Sequence, residues 1–302
     1  MSTRELVVLG TASQVPTRYR NHNGYLMMWD GRGYLFDPGE GTQRQMLLAG
    51  VSASQITHIC VSHFHGDHSL GLAGMIQRIS LDGVQHEIPV RYPASGQVYF
   101  DRLRRSSIFL DKSRLRPCPL TEEGEQEAGP PALVASRLEH TVESWGYRIQ
   151  DPDKWRLDPD RLRDAGVRGP AAGVLLRDGR VDVDGRSVSL RDVGWLERGR
   201  SMAFVMDTRL CEGAIALARD VDLLVAESTY LASEAAEARE RGHMTAGDAA
   251  RLAVEAGARR LVLTHFSQRH PTVQPFLEEA GAIHPDVHAA RDLDRIALPI
   301  RS

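Results

Sequence analysis

Apolar residues occur in short runs closed by turn residues, and these runs alternate with stretches of helical spacing. Residues 6–9 read as a strand ending at Gly10. Residues 25–29 and 34–36 flank Asp30-Gly31-Arg32-Gly33 and predict a hairpin. Residues 56–61 form a strand that runs into a histidine cluster, and 72–79 continue as a short helix. Further strands are expected at 133–138, 145–149, 174–177, 202–206, 223–226 and 261–264. Residues 246–256 carry apolar positions at helical spacing and stop at Gly257. Residues 121–131, acidic and containing Pro and Gly, predict a surface loop.

One segment breaks the pattern. Residues 151–173 are rich in charge, Pro and Gly and poor in large apolar side chains, yet lie between two strand-like runs. They read as an insertion leaving the core, and such long segments are functional or mobile. The rest of the 302 residues form one α/β domain by length, with 42% hydrophobic and 25% charged residues. Cys60, Cys118 and Cys211 are scattered and odd in number, which implies no disulfide framework. No apolar run is long enough for a signal peptide or a membrane span, so a cytoplasmic protein is expected. A net charge of −3 does not advertise a nucleic-acid partner, though a local basic patch suffices to hold phosphates.

The chemistry is concentrated in His63-Phe64-His65-Gly66-Asp67-His68. In an extended segment His63 and His65 point the same way, and Gly66 permits a turn that brings Asp67 and His68 to a neighbouring point. Neutral imidazole and carboxylate suit zinc. His140, Asp207 and His265 each follow an apolar run and are the best further ligands. Singly, each reads equally well as a capped histidine or a turn aspartate. Together with the cluster they make a seven-ligand site that Asp207 can bridge, and such a two-metal site can activate water against a phosphodiester. Asp37 is expected to orient a ligand histidine.

These residues resemble the HxHxDH signature of the metallo-β-lactamase superfamily. Phe36-Asp37-Pro38-Gly39-Glu40-Gly41-Thr42-Gln43-Arg44-Gln45-Met46 narrows the resemblance to the ribonuclease Z family. Gly10-Thr11-Ala12, Pro16 to Asn21, Gly71 to Gly74, Asp207-Thr208-Arg209 and Thr264 to Arg269 extend it along nearly the whole chain. The resemblance implies an αββα sandwich of two mixed sheets flanked by helices. It also implies a zinc-dependent endoribonuclease that removes the 3′ trailer of precursor tRNA. By the same resemblance His63, His65 and His140 hold one Zn2+, and Asp67, His68 and His265 the second. Asp207 bridges the two, and Mn2+ is an alternative metal. Asp67 is the implied proton acceptor. His243, in His243-Met244-Thr245, contacts the scissile phosphate, with Glu227 positioned to raise its pKa. Two departures stand out: Met206 precedes Asp207 in place of a usual glycine, and Ala226 stands where histidine is common.

Arg18, Arg20 and Asn21 are implied contacts to the tRNA 3′ region. The insertion resembles the family's flexible arm, with Gly166-Val167-Arg168-Gly169-Pro170 at its tip, so Arg168, Gly169 and Pro170 join the substrate contacts. The arm acts from a partner subunit, which implies a homodimer. Its lysine and arginines are matched here by Asp151, Asp153, Asp158, Asp160 and Asp164. Two other functions fit the same motif: a phosphodiesterase for small diesters, and a zinc-stabilised RNA-binding protein without turnover. The arm argues against the first and Asp67 against the second.

Overall fold

A computed structural model describes residues 4–300. The chain divides into two compact units, one of Met1–Glu127, Leu133–Ile149 and Ser201–Ser302, the other of Ala128–Ala132 and Gln150–Arg200. In chain order the strands are β1 (Arg4–Gly10), β2 (Gly24–Trp29), β3 (Arg32–Phe36), β4 (Ile56–Cys60), β5 (Ile88–Pro93) and β6 (Leu115–Leu120). Next come β7 (Gly124–Glu127), β8 (Ala132–Leu138), β9 (Ser144–Gln150), β10 (Lys154–Leu157), β11 (Arg180–Val183), β12 (Arg186–Ser189) and β13 (Gly194–Glu197). The last are β14 (Ser201–Val205), β15 (Leu223–Glu227), β16 (Arg260–Thr264), β17 (Val287–Ala289) and β18 (Arg295–Ala297).

Two seven-stranded sheets have the orders β18-β1-β2-β3-β4-β5-β6 and β17-β16-β15-β14-β9-β8-β7. Both are mixed. In the first, β1 to β3 are antiparallel and β3 to β6 parallel. In the second, β14 to β17 are parallel and β7 is antiparallel to β8.

Side-chain alternation explains how the sheets stack. Leu6, Val8, Tyr25, Met27, Tyr34 and Phe36 share one core with Met202, Phe204, Leu223 and Val225 of the other sheet. Val7, Leu9, Leu26 and Leu35 face the opposite way and pack with Leu72, Met75, Ile76 and Ile79 of helix Leu72–Leu81. Ala203, Val205, Leu224 and Leu261 likewise pack with Ala249, Ala250 and Ala253 of helix Ala246–Ala256. Strands buried on both faces need continuous apolar runs rather than alternation. The result is the expected helix–sheet–sheet–helix sandwich.

The second unit has a small core of its own: Val167, Leu175, Val188, Leu190 and Val193, with Trp155, Leu157 and Leu162 packed against it. The insertion therefore runs to Arg200 instead of ending near Gly173, because the apolar residues that complete its core come after that glycine. Residues 174–177, expected as a strand, lie in helix Pro170–Asp178. Pro170 opens that helix and Gly179, at φ 80°, closes it. The expected loop at 121–131 contains β7, whose polar sequence Gly-Glu-Gln-Glu gives no apolar signal for a strand.

Candidate metal centre

Parallel pairing brings the C-terminal ends of β3 and β4, and of β14, β15 and β16, to common rims, with Phe36 opposite Cys60, Val205 opposite Ala226 and Glu227 opposite Thr264. The functional side chains follow within three residues: Asp37 after β3, His63 after β4, Asp207 after β14 and His265 after β16. Asp37, Asp207 and His265 all adopt positive φ, at 43°, 43° and 60°. Left-handed backbone at non-glycine residues costs on the order of 1–3 kcal/mol each and persists where the surroundings fix it. Here it turns the chain sharply as it leaves each buried strand.

The seven residues expected as ligands converge. Donor atoms of His63, His65, His140 and Asp207 all lie within 4.8 Å of one another, as do those of Asp67, His68 and His265. Asp207 lies between the groups. Its Oδ2 is 3.5 Å from His63 Nε2, 3.7 Å from His140 Nε2 and 3.3 Å from His68 Nε2. Its Oδ1 is 3.3 Å from His265 Nε2. Asp67 Oδ2 is 3.4 Å from both His68 Nε2 and His265 Nε2. His243, expected at the phosphate rather than as a ligand, forms a further group with Asp207 and His265.

The donors fit a divalent cation. Asp207 Oδ1 is buried and has no hydrogen-bond partner among the described residues. Imidazole nitrogens also face one another: His63 Nε2 and His65 Nδ1 at 2.9 Å, His68 Nε2 and His265 Nε2 at 3.2 Å. Lone pairs at such distances repel unless a proton or cation lies between them. Meanwhile the outer nitrogens are anchored. His140 Nδ1 donates to Gly242 O at 2.8 Å, and His68 Nδ1 donates to Asp37 Oδ2 at 2.8 Å. That leaves Nε2 as the ligand atom of each ring.

Two hydroxyls anchor two further rings, those of His63 and His265, and sequence reasoning missed both. Ser62 Oγ donates to Asp37 Oδ2 at 2.7 Å and so accepts from His63 Nδ1 at 2.9 Å. Thr229 Oγ1 donates to Glu227 Oε2 at 2.6 Å and accepts from His265 Nδ1 at 2.7 Å. Each buried carboxylate thus orients one histidine directly and a second through a hydroxyl: Asp37 sets His68 and His63, and Glu227 sets His243 and His265. In the sequence Ser62 adjoins the ligand candidate His63, whereas Thr229 adjoins none.

Charges in the pocket are mutually compensated. Burial disfavours the Asp207 and Asp67 carboxylates, but His265, His68 and His243 around Asp207, and His68 and His265 around Asp67, hold both far below the usual range. Burial pushes His63, His65 and His140 down, towards the neutral form, whereas His68 is raised against burial by Asp207 and Asp67. Burial acts against the charge on His243 too, but Glu227, 2.9 Å from Nδ1, and Asp207 raise it to about 9. A cavity of about 560 Å³ opens over the site, lined by His65, Asp67, His140, Asp207, His243 and His265 together with Ser13 and Gln14.

The other expected contacts are placed as follows. Arg18 is exposed. Arg20 is half-buried, its guanidinium 5.3 Å from the Phe266 ring centre. The Asn21 side chain donates to Glu40 O and His22 O. In the second unit Arg168 is exposed, Gly169 has φ 53° and Pro170 begins a helix.

A sandwich with this histidine–aspartate rim is matched over residues 18–186 by the family model described as Metallo-beta-lactamase superfamily. A second model, Beta-lactamase superfamily domain, matches 164–266. Ribonuclease Z of Streptomyces coelicolor is 55% identical over 304 residues, covering 100% of both chains. Ribonuclease Z of Streptomyces avermitilis is 54% identical over 305 residues with the same coverage. The chain belongs to the ribonuclease Z family. Among solved structures, human tRNase Z, short form, superimposes with a TM-score of 0.68 at 24% identity, covering 98% of this chain and 100% of that one, which supports the fold. Divalent-metal dependence follows from the family and the donor clusters.

Proposed function

We propose that the protein is a zinc-dependent endoribonuclease that cleaves precursor tRNA at its 3′ end to release the trailer. The observation that carries this reading is the complete ligand set within the fold of a family whose full-length relatives are ribonuclease Z. His63, His65 and His140 would hold one ion and Asp67, His68 and His265 the other, with Asp207 between the two groups. Bound metals supply Lewis-acid polarisation of a phosphoryl oxygen and a water of lowered pKa. Asp67 is fixed by the Gln14 N–H, which donates to Oδ2 at 2.7 Å, leaving Oδ1 to orient the attacking water and accept its proton. His243, held at Nδ1 by Glu227, meets the phosphate through Nε2 and gives a proton to the leaving oxygen.

Arg18 and Arg20 contact the tRNA 3′ region, and residues 150–200 form the arm that grips the substrate away from the cut. The protein works in the cytoplasm; among the described residues no helix is long and apolar enough to cross a membrane. It acts as a homodimer. Exposed Leu47, Leu81 and Leu110 on the outer helical face of the first sheet supply apolar surface for a second copy. Light scattering at micromolar concentration should give twice the chain mass, and a monomer alone contradicts the dimer.

The test is incubation of purified, metal-analysed protein with a trailer-bearing precursor tRNA and mapping of the cut. A single cut at the trailer junction, with two metals per chain, is expected. Hydrolysis of small diesters without any precursor cleavage contradicts the reading.

A further inference from the structure

Residues 11–21 leave β1 and return to β2 as a loop that joins the metal rim to the surface. Gln14, at φ 48°, points its N–H at Asp67 Oδ2. Further along, Arg18 and Tyr19 are exposed, Tyr19 at 81%. The stem is narrow. The Ala12 N–H donates to Asn21 O at 2.9 Å, and a Cβ on Gly10 would lie 1.8 Å from His22 O.

What clasps this stem comes from a distant part of the chain. Asp292 lies between β17 and β18. Its Oδ1 accepts from Thr11 Oγ1 at 2.8 Å, and its Oδ2 accepts from the Asn21 N–H at 2.6 Å and from Gln45 Nε2 at 3.2 Å. One carboxylate therefore spans both ends of the loop and ties them to helix Thr42–Leu48. Hydrogen bonds to an ionised acceptor are the stronger kind, and closing a loop removes conformations that compete with the bound one.

We propose that Asp292 is a positioning residue for precursor tRNA: by joining Thr11 to Asn21 it holds Arg18 and Arg20 where the RNA meets them. The proposal rests on the reading of this loop as an RNA contact. The side-chain partners of Asp292 are Thr11, Asn21 and Gln45, none of them a candidate metal ligand. Gln14 is held without it: its carbonyl accepts from His22 Nε2 at 3.1 Å, and the neighbouring Ser13 N–H donates to Phe266 O at 3.1 Å. Loss of Asp292 therefore leaves Asp67 with its Gln14 N–H and its histidine partners, so binding of the large substrate suffers more than the chemical step.

The experiment compares Asp292→Ala and Asp292→Asn in the full-length, metal-loaded protein, on precursor tRNA and on bis(p-nitrophenyl) phosphate. Asn can keep the clasp without the charge, its carbonyl accepting from Asn21 N–H and Gln45 while its amide donates to Thr11 Oγ1. Asp292→Ala should raise KM for precursor tRNA about tenfold with kcat within about twofold, and leave kcat/KM for the small diester within about twofold. Asp292→Asn should stay within about threefold of the parent KM. If Asp292→Ala does not fold, Thr11→Val removes one arm of the clasp at nearly constant volume and should raise KM about threefold. An unchanged precursor KM in the folded variant, or equal losses on the two substrates, overturns the proposal. A parent enzyme that does not cut precursor tRNA overturns the functional reading instead.

Discussion

The metal rim and the unit of residues 150–200 hold their charges in opposite ways. At the rim Asp37, Asp207 and Glu227 are essentially buried, and Asp37 and Glu227 each serve two histidines. In the second unit the ion pairs Arg156–Glu197, Arg163–Asp160 and Arg177–Asp178 are exposed on both sides. Removing one partner of a buried pair costs about 3–5 kcal/mol, whereas exposed pairs contribute about 0–1 kcal/mol. The rim is accordingly a fixed constellation in which each proton has an assigned place. The insertion offers arginines whose partners are easily exchanged, and phosphate oxygens can replace those carboxylates at little cost. The proposed function accordingly assigns chemistry to the first and recognition to the second.

Three changes break or sharpen that contrast, in descending order of effect. Asp67→Ala should lower kcat by more than about 1,000-fold on precursor tRNA and on a small diester alike, since it removes the proposed proton acceptor and a candidate ligand together. Near-normal turnover on either substrate would show that another group accepts the proton. Ser62→Ala and Thr229→Val should each weaken metal binding about 10–100-fold, read by competition with a chelator, while circular dichroism stays unchanged. Unaltered metal affinity in both variants would mean that the hydroxyls do not set the histidine tautomers. Raising salt from about 50 to 200 mM should weaken precursor binding several-fold, by the release of counterions, and leave small-diester turnover nearly constant. Parallel loss of both would place the salt effect at the rim.

The two regions also differ in how far they could be read in advance. His63, His65, Asp67 and His68 stand in one segment, and His140, Asp207 and His265 each close an apolar run, so local pattern and strand termini reveal them. Asp37 was legible as an orienting residue for the same reason. Ser62 and Thr229 were not, because a hydroxyl in a loop is ordinary until Asp37 and Glu227 are known to lie behind it. Asp292 carries no sequence signal, since its partners Thr11 and Asn21 lie more than 270 residues away. The insertion was recognised by composition, but its end was not. Its core draws on isolated apolar residues such as Val181, Val188 and Leu190 within polar strands and short helices. Periodicity over so few residues does not separate a strand from a helix, and residues 174–177 were misread accordingly.

The position of that boundary decides the most direct test. Removing only residues 151–173 would take Trp155, Leu157, Leu162 and Val167 out of the small core and leave Leu175, Val188, Leu190 and Val193 behind. Removing 151–199 takes the whole small core and leaves the cores of the first unit intact. The variant joins Gln150 to the start of β14 by a short glycine–serine linker and is assayed on precursor tRNA and on bis(p-nitrophenyl) phosphate. With chemistry in one unit and recognition in the other, kcat/KM for the precursor should fall about 100-fold or more, equivalent to about 2.7 kcal/mol, while the small diester changes by less than about threefold. Equal loss on both substrates, or no loss on the precursor, would contradict that division.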